Sequence, residues 1–283
     1  MNEDNLTDSL EFKWFLPMIQ DQEDLVKNLL AVMQEKLPMA LPTRFGTCEP
    51  IRDKTGPTDH SKFIKAWRKC GSTKFLWLTK HGDSFYWLST LPCSGGSMFF
   101  GDRSPDKYQH CDRLRISFDA KVISQDMVSV EKLVNFFAEV ATVTNAFYAA
   151  AVIFRNMIIT EEATMVPTDG GEYYQLTSGK WWFGLPQIPT WLAWFGGNYT
   201  TEVSELFEHP MSTKFKSGLL LRAGDKPLNR DELQGVFPQL PNRLQFKYTP
   251  QPREIRAADH DPETVLKLMT MQEYWPADHI PQL

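Results

Sequence analysis

The amino-acid sequence predicts an α+β fold, in which a mixed, mainly antiparallel sheet packs against two long helices. Two amphipathic segments, at residues 21–37 and 130–147, predict the helices. Segments with the composition of strands precede, separate and follow them without a strict alternation of one strand with one helix. That order is typical of α+β proteins rather than of doubly wound parallel sheets.

Length and composition predict a folded chain with a sizeable core. The 283 residues are enough for one large domain or two small ones, and 42% of them are hydrophobic, an ordinary share for a globular protein. The sequence contains no convincing internal repeat and no linker that divides it. We therefore predict a single domain over residues 9–283, with residues 1–8 as a disordered N-terminus.

The N-terminal third begins with a strand and a helix. The segment Leu10–Phe15 (LEFKWF) is rich in aromatic residues and predicts the first strand. Asp21 can cap the following helix, whose first turn is acidic. Apolar residues recur along that helix at helical spacing: Leu25, Val26, Leu29, Leu30, Met33 and Leu37. Residues 38–57 are predicted to be irregular, and Leu41–Pro50 contains too many prolines and turn residues for a central strand.

The middle of the chain predicts a short helix followed by a β-hairpin. The helix covers residues 61–69. The hairpin joins strands at residues 74–79 and 84–91 through His81-Gly82-Asp83, whose glycine allows the turn. Residues 92–96 (PCSGG) have the composition of a loop.

A half-buried strand and the second long helix come next. The segment Arg113–Val122 alternates apolar and polar residues, which predicts a strand with one buried face. Its other face carries Arg113, Arg115, Ser117 and Asp119. Ser129 can cap the helix at residues 130–147, and a further strand is predicted near Ala149–Phe154.

The stretch Trp181–Tyr199 (WWFGLPQIPTWLAWFGGNY) contains four of the chain's nine tryptophans. Large aromatic side chains each have roughly 150–250 Å² of surface to bury. Since this stretch lies between a long helix and a short capped one, we interpret it as core rather than as a recognition surface. Beyond it the sequence predicts a helix at 200–207, a strand at 215–222, a helical turn at 231–234, a strand at 244–248 and a helix from Pro262.

Charge and terminal sequence predict a cytoplasmic protein. The net charge of −5 argues mildly against nucleic acid as a partner. The N-terminus is acidic and lacks the pattern of a signal peptide, and the longest apolar run is far shorter than the ~20 residues of a membrane-spanning helix. In that compartment the four cysteines are expected to be free thiols.

No catalytic, cofactor-binding or metal-binding residues are predicted, so we do not expect an enzyme. The groups Gln109–Asp112 and Asp259–Asp261 contain possible metal ligands, but neither has the spacing of a zinc site. No phosphate-binding glycine motif occurs, and the segment around Cys93 lacks the G-x-S-x-G pattern of a nucleophile elbow.

Two alternatives stay open beside this interpretation. The first is an enzyme with an unrecognised site, in which Cys93, His110 or Asp112 acts near the Gly95-Gly96 loop. The second is a nucleic-acid-associated protein that uses the basic segment 52–80, where aromatic and basic residues are interleaved.

Three segments carry a resemblance to a known family. They are Leu41–Pro50 (LPTRFGTCEP), Gly95–Met98 (GGSM) running into the strand at 113–120, and Gly184–Gly196 with its Trp191-Leu-Ala-Trp-Phe-Gly block. On these segments the chain resembles bacterial immunity proteins of the type VI secretion and polymorphic-toxin immunity families. The third segment departs from the family pattern, because Gln187-Ile188-Pro189 intervenes before the tryptophan and Asn198-Tyr199 replaces the usual Pro-Tyr.

The resemblance implies a protein that binds and neutralises a cognate toxin in the cytoplasm of the cell that produces both. It implies an α+β fold and transfers no catalytic residues. Affinity in such a complex is expected from a few buried aromatic and arginine anchors, and a net negative charge favours association with a basic toxin.

Overall fold

A computed structural model describes the protein at residues 6–17, 22–48, 50–56, 58–71, 84–101, 111–120, 123, 128–159, 165–167, 185–186, 189–206, 208–240 and 244. Its strands are β1 (Leu6–Leu16), β2 (Arg44–Gly46), β3 (Asp53–Lys54), β4 (Ser84–Leu88), β5 (Cys93–Phe99), β6 (Asp112–Asp119), β7 (Tyr148–Ile159), β8 (Met165–Pro167), β9 (Leu192–Gly196), β10 (Ser212–Phe215) and β11 (Gly218–Arg222). The α-helices are α1 (Gln22–Lys36), α2 (Ser61–Gly71), α3 (Val130–Val143), α4 (Tyr199–Glu202) and α5 (Arg230–Leu233).

All these strands belong to one sheet. Its order is β10-β11-β9-β7-β1-β6-β5-β4-β2-β3, and β8 pairs with the end of β7. Strand β7 is long enough to pair with β9 through Tyr148–Ala151 and with β8 through Met157–Ile159. Every strand pair in the described part of the chain is antiparallel. The two long strands β1 and β7 therefore form the centre around which both halves of the sheet are built.

The first face of the sheet packs against helices α1, α2 and α3. Alternate residues of β1 point into this core, and Trp14 lies there with Phe136 and Phe137 of α3. The Trp14 indole Nε1 donates a hydrogen bond of 3.1 Å to the Phe137 carbonyl oxygen, so the ring is buried without losing its polar contact. On β4, Trp87 and Phe85 form a second aromatic group with Phe63 and Trp67 of α2.

The second face of the sheet has two different halves. Over β7, β9 and β11 it is apolar and is covered by Tyr199 of α4 and by the residues that follow, including Val203 and Leu206. Over β1, β6, β5 and β4 it carries charged and hydroxyl side chains, which are described below as the candidate site. The boundary between the two halves runs between β1 and β7.

The fold class is confirmed at the level of helices combined with a large antiparallel sheet. The predicted strand at Leu10–Phe15 and the predicted helices at residues 21–37 and 61–69 correspond to β1, α1 and α2. Helices α1, α2 and α3 have 15, 11 and 14 residues. These lengths do not clearly separate two long helices from a short one. That finer description stays a prediction.

Residues 92–96 do not form the predicted loop. Cys93 begins β5, which lies between β4 and β6 in the interior of the sheet. The register shifts between Cys93 and Gly95, and Gly95 has a φ of 135°. Gly95, the first glycine of the pair, is therefore part of a β-bulge. A glycine pair that is typical of turns is here part of a strand.

Three other boundaries differ from the sequence-based expectations. The predicted single strand at 215–222 is a hairpin of β10 and β11, in which Phe215 lies opposite Gly218. Helix α3 ends at Val143 rather than at residue 147, because Asn145 adopts a left-handed φ of 53°. Strand β1 begins at Leu6, so residues 6–8 of the expected N-terminal tail belong to the sheet, where Thr7 Oγ1 donates a 2.6 Å hydrogen bond to Asp119.

Several predicted elements lie outside the described residues. They are the strand at 74–79 with the turn at 81–83, the strand at 244–248 beyond Leu244, and the helix from Pro262. Within the described part of the chain, none of the helices has the length and hydropathy that would cross a membrane.

Candidate functional site

Cys93, the nucleophile of the enzyme alternative, lies inside the core. It is fully buried at the start of β5, and burial raises the pKa of its thiol to about 12. A thiol with that pKa stays protonated near neutral pH, whereas a nucleophilic cysteine must be a thiolate. His110, another residue of that alternative, lies outside the described residues.

Asp112, the third residue of that alternative, joins three elements of the first face. Its carboxylate accepts hydrogen bonds from the Gly101 backbone N–H at 2.7 Å and from Gln22 Nε2 at 3.3 Å. The Gln22 side chain of α1 in turn accepts a 3.1 Å hydrogen bond from Trp67 Nε1 of α2. All three side chains are buried, so these contacts account for Asp112 as a link between α1, α2 and β6.

The described part of the aromatic stretch is core, as expected. Trp191 and Trp194 are both fully buried. Trp194 Nε1 donates a 3.1 Å hydrogen bond to the Ala146 carbonyl oxygen, and Cβ atoms added at Gly196 or Gly218 would come within 2.9 Å or 2.5 Å of the Trp194 side chain. Trp181 and Trp182 lie outside the described residues.

In the part of the chain that the structure describes, the possible metal ligands are not brought together. Among the described residues, no three His, Cys, Asp or Glu side chains come together in a way that could hold a metal ion. His110 and the residues Asp259–Asp261 are outside that set, and Asp112 is already engaged as described above.

The basic segment contributes to a shallow groove between α1 and α2. The groove has a volume of about 590 Å³ and is lined by Glu23, Lys27, Ser61, Ile64, Lys65, Arg68 and Lys69. Glu23 binds Arg68 at 2.5 Å and Lys27 at 2.6 Å, which holds these two cations beside one another. The groove is therefore basic, and it lies on the helical side of the sheet.

A charged surface on the opposite side of the sheet was not singled out from the sequence. We name it the polar face and define it by residues Glu11, Lys13, Tyr86, Ser97, Phe99, Arg113, Arg115 and Ser117. Residues directly opposite one another on neighbouring antiparallel strands point to the same side. One such row runs from Tyr86 of β4 to Ser97 of β5, to Arg115 of β6 and to Lys13 of β1. The register thus gathers side chains from four strands.

A buried carboxylate organises the charges of the polar face. Glu11 is 1% exposed, and its carboxylate lies 3.1 Å from Lys13 Nζ and 3.7 Å from Arg115. Burial alone raises the pKa of Glu11, but the charges of Lys13 and Arg115 outweigh that effect and hold the pKa below its ordinary value of 4.5. Glu11 is therefore ionised at neutral pH and fixes the two cations that flank it.

Aromatic rings border the arginines of this face. The Arg113 guanidinium lies 5.1 Å from the centre of the Phe99 ring, and the Phe99 and Tyr86 rings meet edge to face at 6.0 Å. Lys13 Nζ lies 5.0 Å from the ring of Phe154, at the border with the apolar half. Tyr86, Phe99, Arg113 and Arg115 are all partly exposed. The polar face thus combines accessible arginine and aromatic side chains on a rigid sheet.

The sequence contained a signal for this face, but the signal was ambiguous. The alternation in β6 correctly placed Arg113, Arg115 and Ser117 on the side away from the helices. Such residues most often face solvent, yet Ser117 is 3% exposed and its opposite neighbour Glu11 is 1% exposed. Because burial of a polar residue depends on neighbouring strands, the alternation alone could not reveal it.

Comparisons with known proteins found similarity to solved structures. No protein-family model matches the chain, and no curated protein matches it. The "Pseudomonas aeruginosa T6SS protein PA0821" is similar over 98% of this chain and 87% of its own, with 13% sequence identity and a TM-score of 0.49. A likeness this distant does not assign a function.

Proposed function

We propose that this protein is an immunity protein that binds a cognate secreted toxin in the cytoplasm and neutralises it by forming a stoichiometric complex. The observation that carries the proposal is the polar face, where partly exposed arginine and aromatic side chains stand together on the sheet. Arginine and tyrosine are among the residue types that contribute most to binding energy in protein interfaces.

The polar face is also held in its conformation before any partner binds. Glu11 fixes Arg115 and Lys13, and the Phe99 ring supports Arg113. Side chains that are already ordered lose less conformational entropy when a complex forms. This ordering favours a binding surface over a solvent-facing group of charges.

Two of the three segments that resemble immunity proteins lie beside this surface, whereas the third forms β9 in the apolar half. Arg44–Gly46 of the first segment forms β2, and Gly95–Met98 of the second forms much of β5. Gly46 lies opposite Tyr86, which lies opposite Ser97, so both segments border the polar face through β4. Their position supports the resemblance as a guide to where the partner binds.

The basic groove between α1 and α2 favours a second candidate function, association with nucleic acid. Lys27, Lys65, Arg68 and Lys69 line it. Phosphate contacts of this kind weaken steeply with salt. Retention on heparin that falls with added salt, and that is lost in Arg68→Glu, would favour this function.

A survival assay tests the immunity proposal. The product of each gene adjacent to that of this protein is expressed in a sensitive host, with and without this protein, and viable cells are counted. We expect rescue from one product by the wild-type protein and loss of rescue by Arg113→Glu, because the charge reversal replaces the guanidinium beside Phe99 with a carboxylate.

The matched control for this assay is Arg68→Glu, the same charge reversal on the helical side of the sheet. It is expected to rescue as well as the wild type. If no neighbouring product is toxic, or if none is neutralised by the wild-type protein, the immunity function is wrong. If Arg68→Glu fails and Arg113→Glu rescues, the partner binds at the groove instead.

A further inference from the structure

Several buried polar atoms of the polar face lack hydrogen-bond partners. The described residues provide none for the hydroxyl oxygens of Ser97 and Ser117, or for Nε of Arg113 and Arg115. Ser97 is 2% exposed and Ser117 is 3% exposed. Leaving such groups unsatisfied destabilises the folded protein, so an unpartnered group in a native structure often marks the place of a water, an ion or a ligand.

These atoms belong to neighbouring positions on one side of the sheet. Ser97 lies opposite Arg115, and Arg113 and Ser117 are the residues two before and two after Arg115 on β6. Residues two apart on a strand share a face. The unpartnered groups of β5 and β6 therefore surround Arg115.

The chemistry of this group of atoms calls for a ligand that accepts hydrogen bonds. Arginine Nε–H can only donate, and a serine hydroxyl can donate to an acceptor that approaches it. Two cations, Lys13 and Arg115, pair with the buried carboxylate of Glu11, and a third, Arg113, lies beside the Phe99 ring two residues before Arg115. Asp119 lies two residues beyond Ser117 and accepts a hydrogen bond from Thr7. An anionic acceptor would thus satisfy both the donors and the excess positive charge beside Arg113.

We infer that the polar face binds a carboxylate of the partner, an aspartate or glutamate side chain that accepts hydrogen bonds from the partly exposed guanidinium groups of Arg113 and Arg115. This inference deepens the proposed function and rests on it for the identity of the partner. A planar carboxylate matches the donor geometry of a guanidinium, and its charge complements this face although the whole chain has a net charge of −5. Ser117 and Lys13 border the same position.

The Nε–H resonances of the arginines test the inference directly. The full-length protein labelled with ¹⁵N is titrated with sodium acetate at constant ionic strength, with chloride as the balancing anion. The Nε–H signals of Arg113 and Arg115 are assigned by their disappearance in Arg113→Lys and Arg115→Lys. We expect both signals to shift and to saturate, while the signal of Arg68, an arginine on the helical side, stays in place.

Other outcomes of the titration contradict the inference. No saturable shift at Arg113 and Arg115 means that these atoms are satisfied by water alone. An equal shift at Arg68 means that acetate acts as a general salt. A parallel titration with inorganic phosphate distinguishes the two sources of anionic oxygen, and a saturable response to phosphate without one to acetate overturns the assignment to a carboxylate.

The affinity of the protein for the toxin tests this inference separately from the proposed function. For a toxin identified by rescue, Arg113→Gln is expected to weaken the complex about 10- to 100-fold in titration calorimetry, because a charged hydrogen bond is lost. Arg113 is chosen since Arg115 also holds Glu11. Its melting temperature is compared with that of the wild type to establish that the variant is folded.

The two proposals fail in different ways. If the wild-type protein rescues cells but Arg113→Gln binds the toxin with unchanged affinity, the carboxylate assignment is wrong and the immunity function stands. If acetate binds at Arg113 and Arg115 but no toxin is neutralised, the anion site stands and the immunity function is wrong.

Discussion

At the scale of single residues, Gly96 shows how a contact between strands decides which residue a position accepts. A Cβ atom at Gly96 would lie 2.3 Å from the Trp87 ring and 2.4 Å from the Arg115 carbonyl oxygen. Trp87 is 1% exposed and packs among aromatic rings, so neither it nor the backbone can move aside easily. Glycine is therefore required there by close approach rather than by a turn.

We expect Gly96→Ala to lower the free energy of unfolding by about 1–3 kcal/mol or more, as overpacking of a core usually does. Urea denaturation measures the change. Gly46→Ala is the matched control, because its nearest contacts would be 3.5–3.9 Å away, which is ordinary van der Waals distance. Its effect should be within about 0.5 kcal/mol. Equal losses in both variants would show that Trp87 is not the cause.

The same glycine shows what the sequence can and cannot reveal about single positions. A glycine pair is typical of a turn, and the composition of residues 92–96 predicts a loop. The reason for Gly96 lies in Trp87 on another strand, which becomes its neighbour only when β4 and β5 pair. Ser129, by contrast, caps α3 through the backbone N–H of Lys132 three residues away, a local contact that the sequence predicted correctly.

At the scale of elements, helices α1 and α2 are connected to the sheet by polar contacts as well as by apolar ones. Asp112 of β6 accepts hydrogen bonds from Gln22 of α1 and from the Gly101 backbone, and Gln22 receives one from Trp67 of α2. The amphipathic pattern predicted these helices because their buried stripes have helical spacing. It did not predict this connection, because a lone Asp or Gln has no periodicity.

We expect Asp112→Ala to destabilise the protein by about 2–4 kcal/mol, since two buried donors lose their acceptor at roughly 1–3 kcal/mol each. Asp112→Asn should cost less, because its amide oxygen can still accept one of the two hydrogen bonds. Thermal and urea unfolding of both variants check the order. A loss in Asp112→Asn as large as in Asp112→Ala would mean that the negative charge, rather than the hydrogen bonds, is what the site needs.

At the scale of the whole molecule, the sheet separates two kinds of surface. Helices α1, α2 and α3 and the basic groove lie on one side, and the polar face and an apolar half lie on the other. The net charge of −5 led to the expectation of a basic partner. The local charges of the polar face favour acidic groups instead, because Lys13 and Arg115 pair with Glu11 and Arg113 adds a third positive charge beside the Phe99 ring. The net charge is the sum over the whole chain, whereas a partner contacts only one of its surfaces.

The charge cluster on the polar face should also make stability depend on pH through Glu11. Its pKa in the folded protein is lower than 4.5, because Lys13 and Arg115 outweigh the effect of burial. A carboxyl group with a lowered pKa contributes stability that is fully present above its unfolded pKa and is lost as the pH falls through the folded pKa. Glu11→Gln removes this contribution without changing the size of the side chain.

We expect Glu11→Gln to be less stable than the wild type by about 1–3 kcal/mol at pH 7, since two partly exposed cations lose their buried partner. The difference should shrink as the pH falls below about 4.5, because the wild-type carboxyl group becomes protonated and resembles the amide. Urea denaturation of both proteins between about pH 7 and pH 3 measures it. Lys36→Gln, at a surface pair with Glu35, is the control and should leave the stability nearly unchanged at every pH. A Glu11→Gln difference that stays constant over this range would show that the carboxylate is not stabilised by its neighbours.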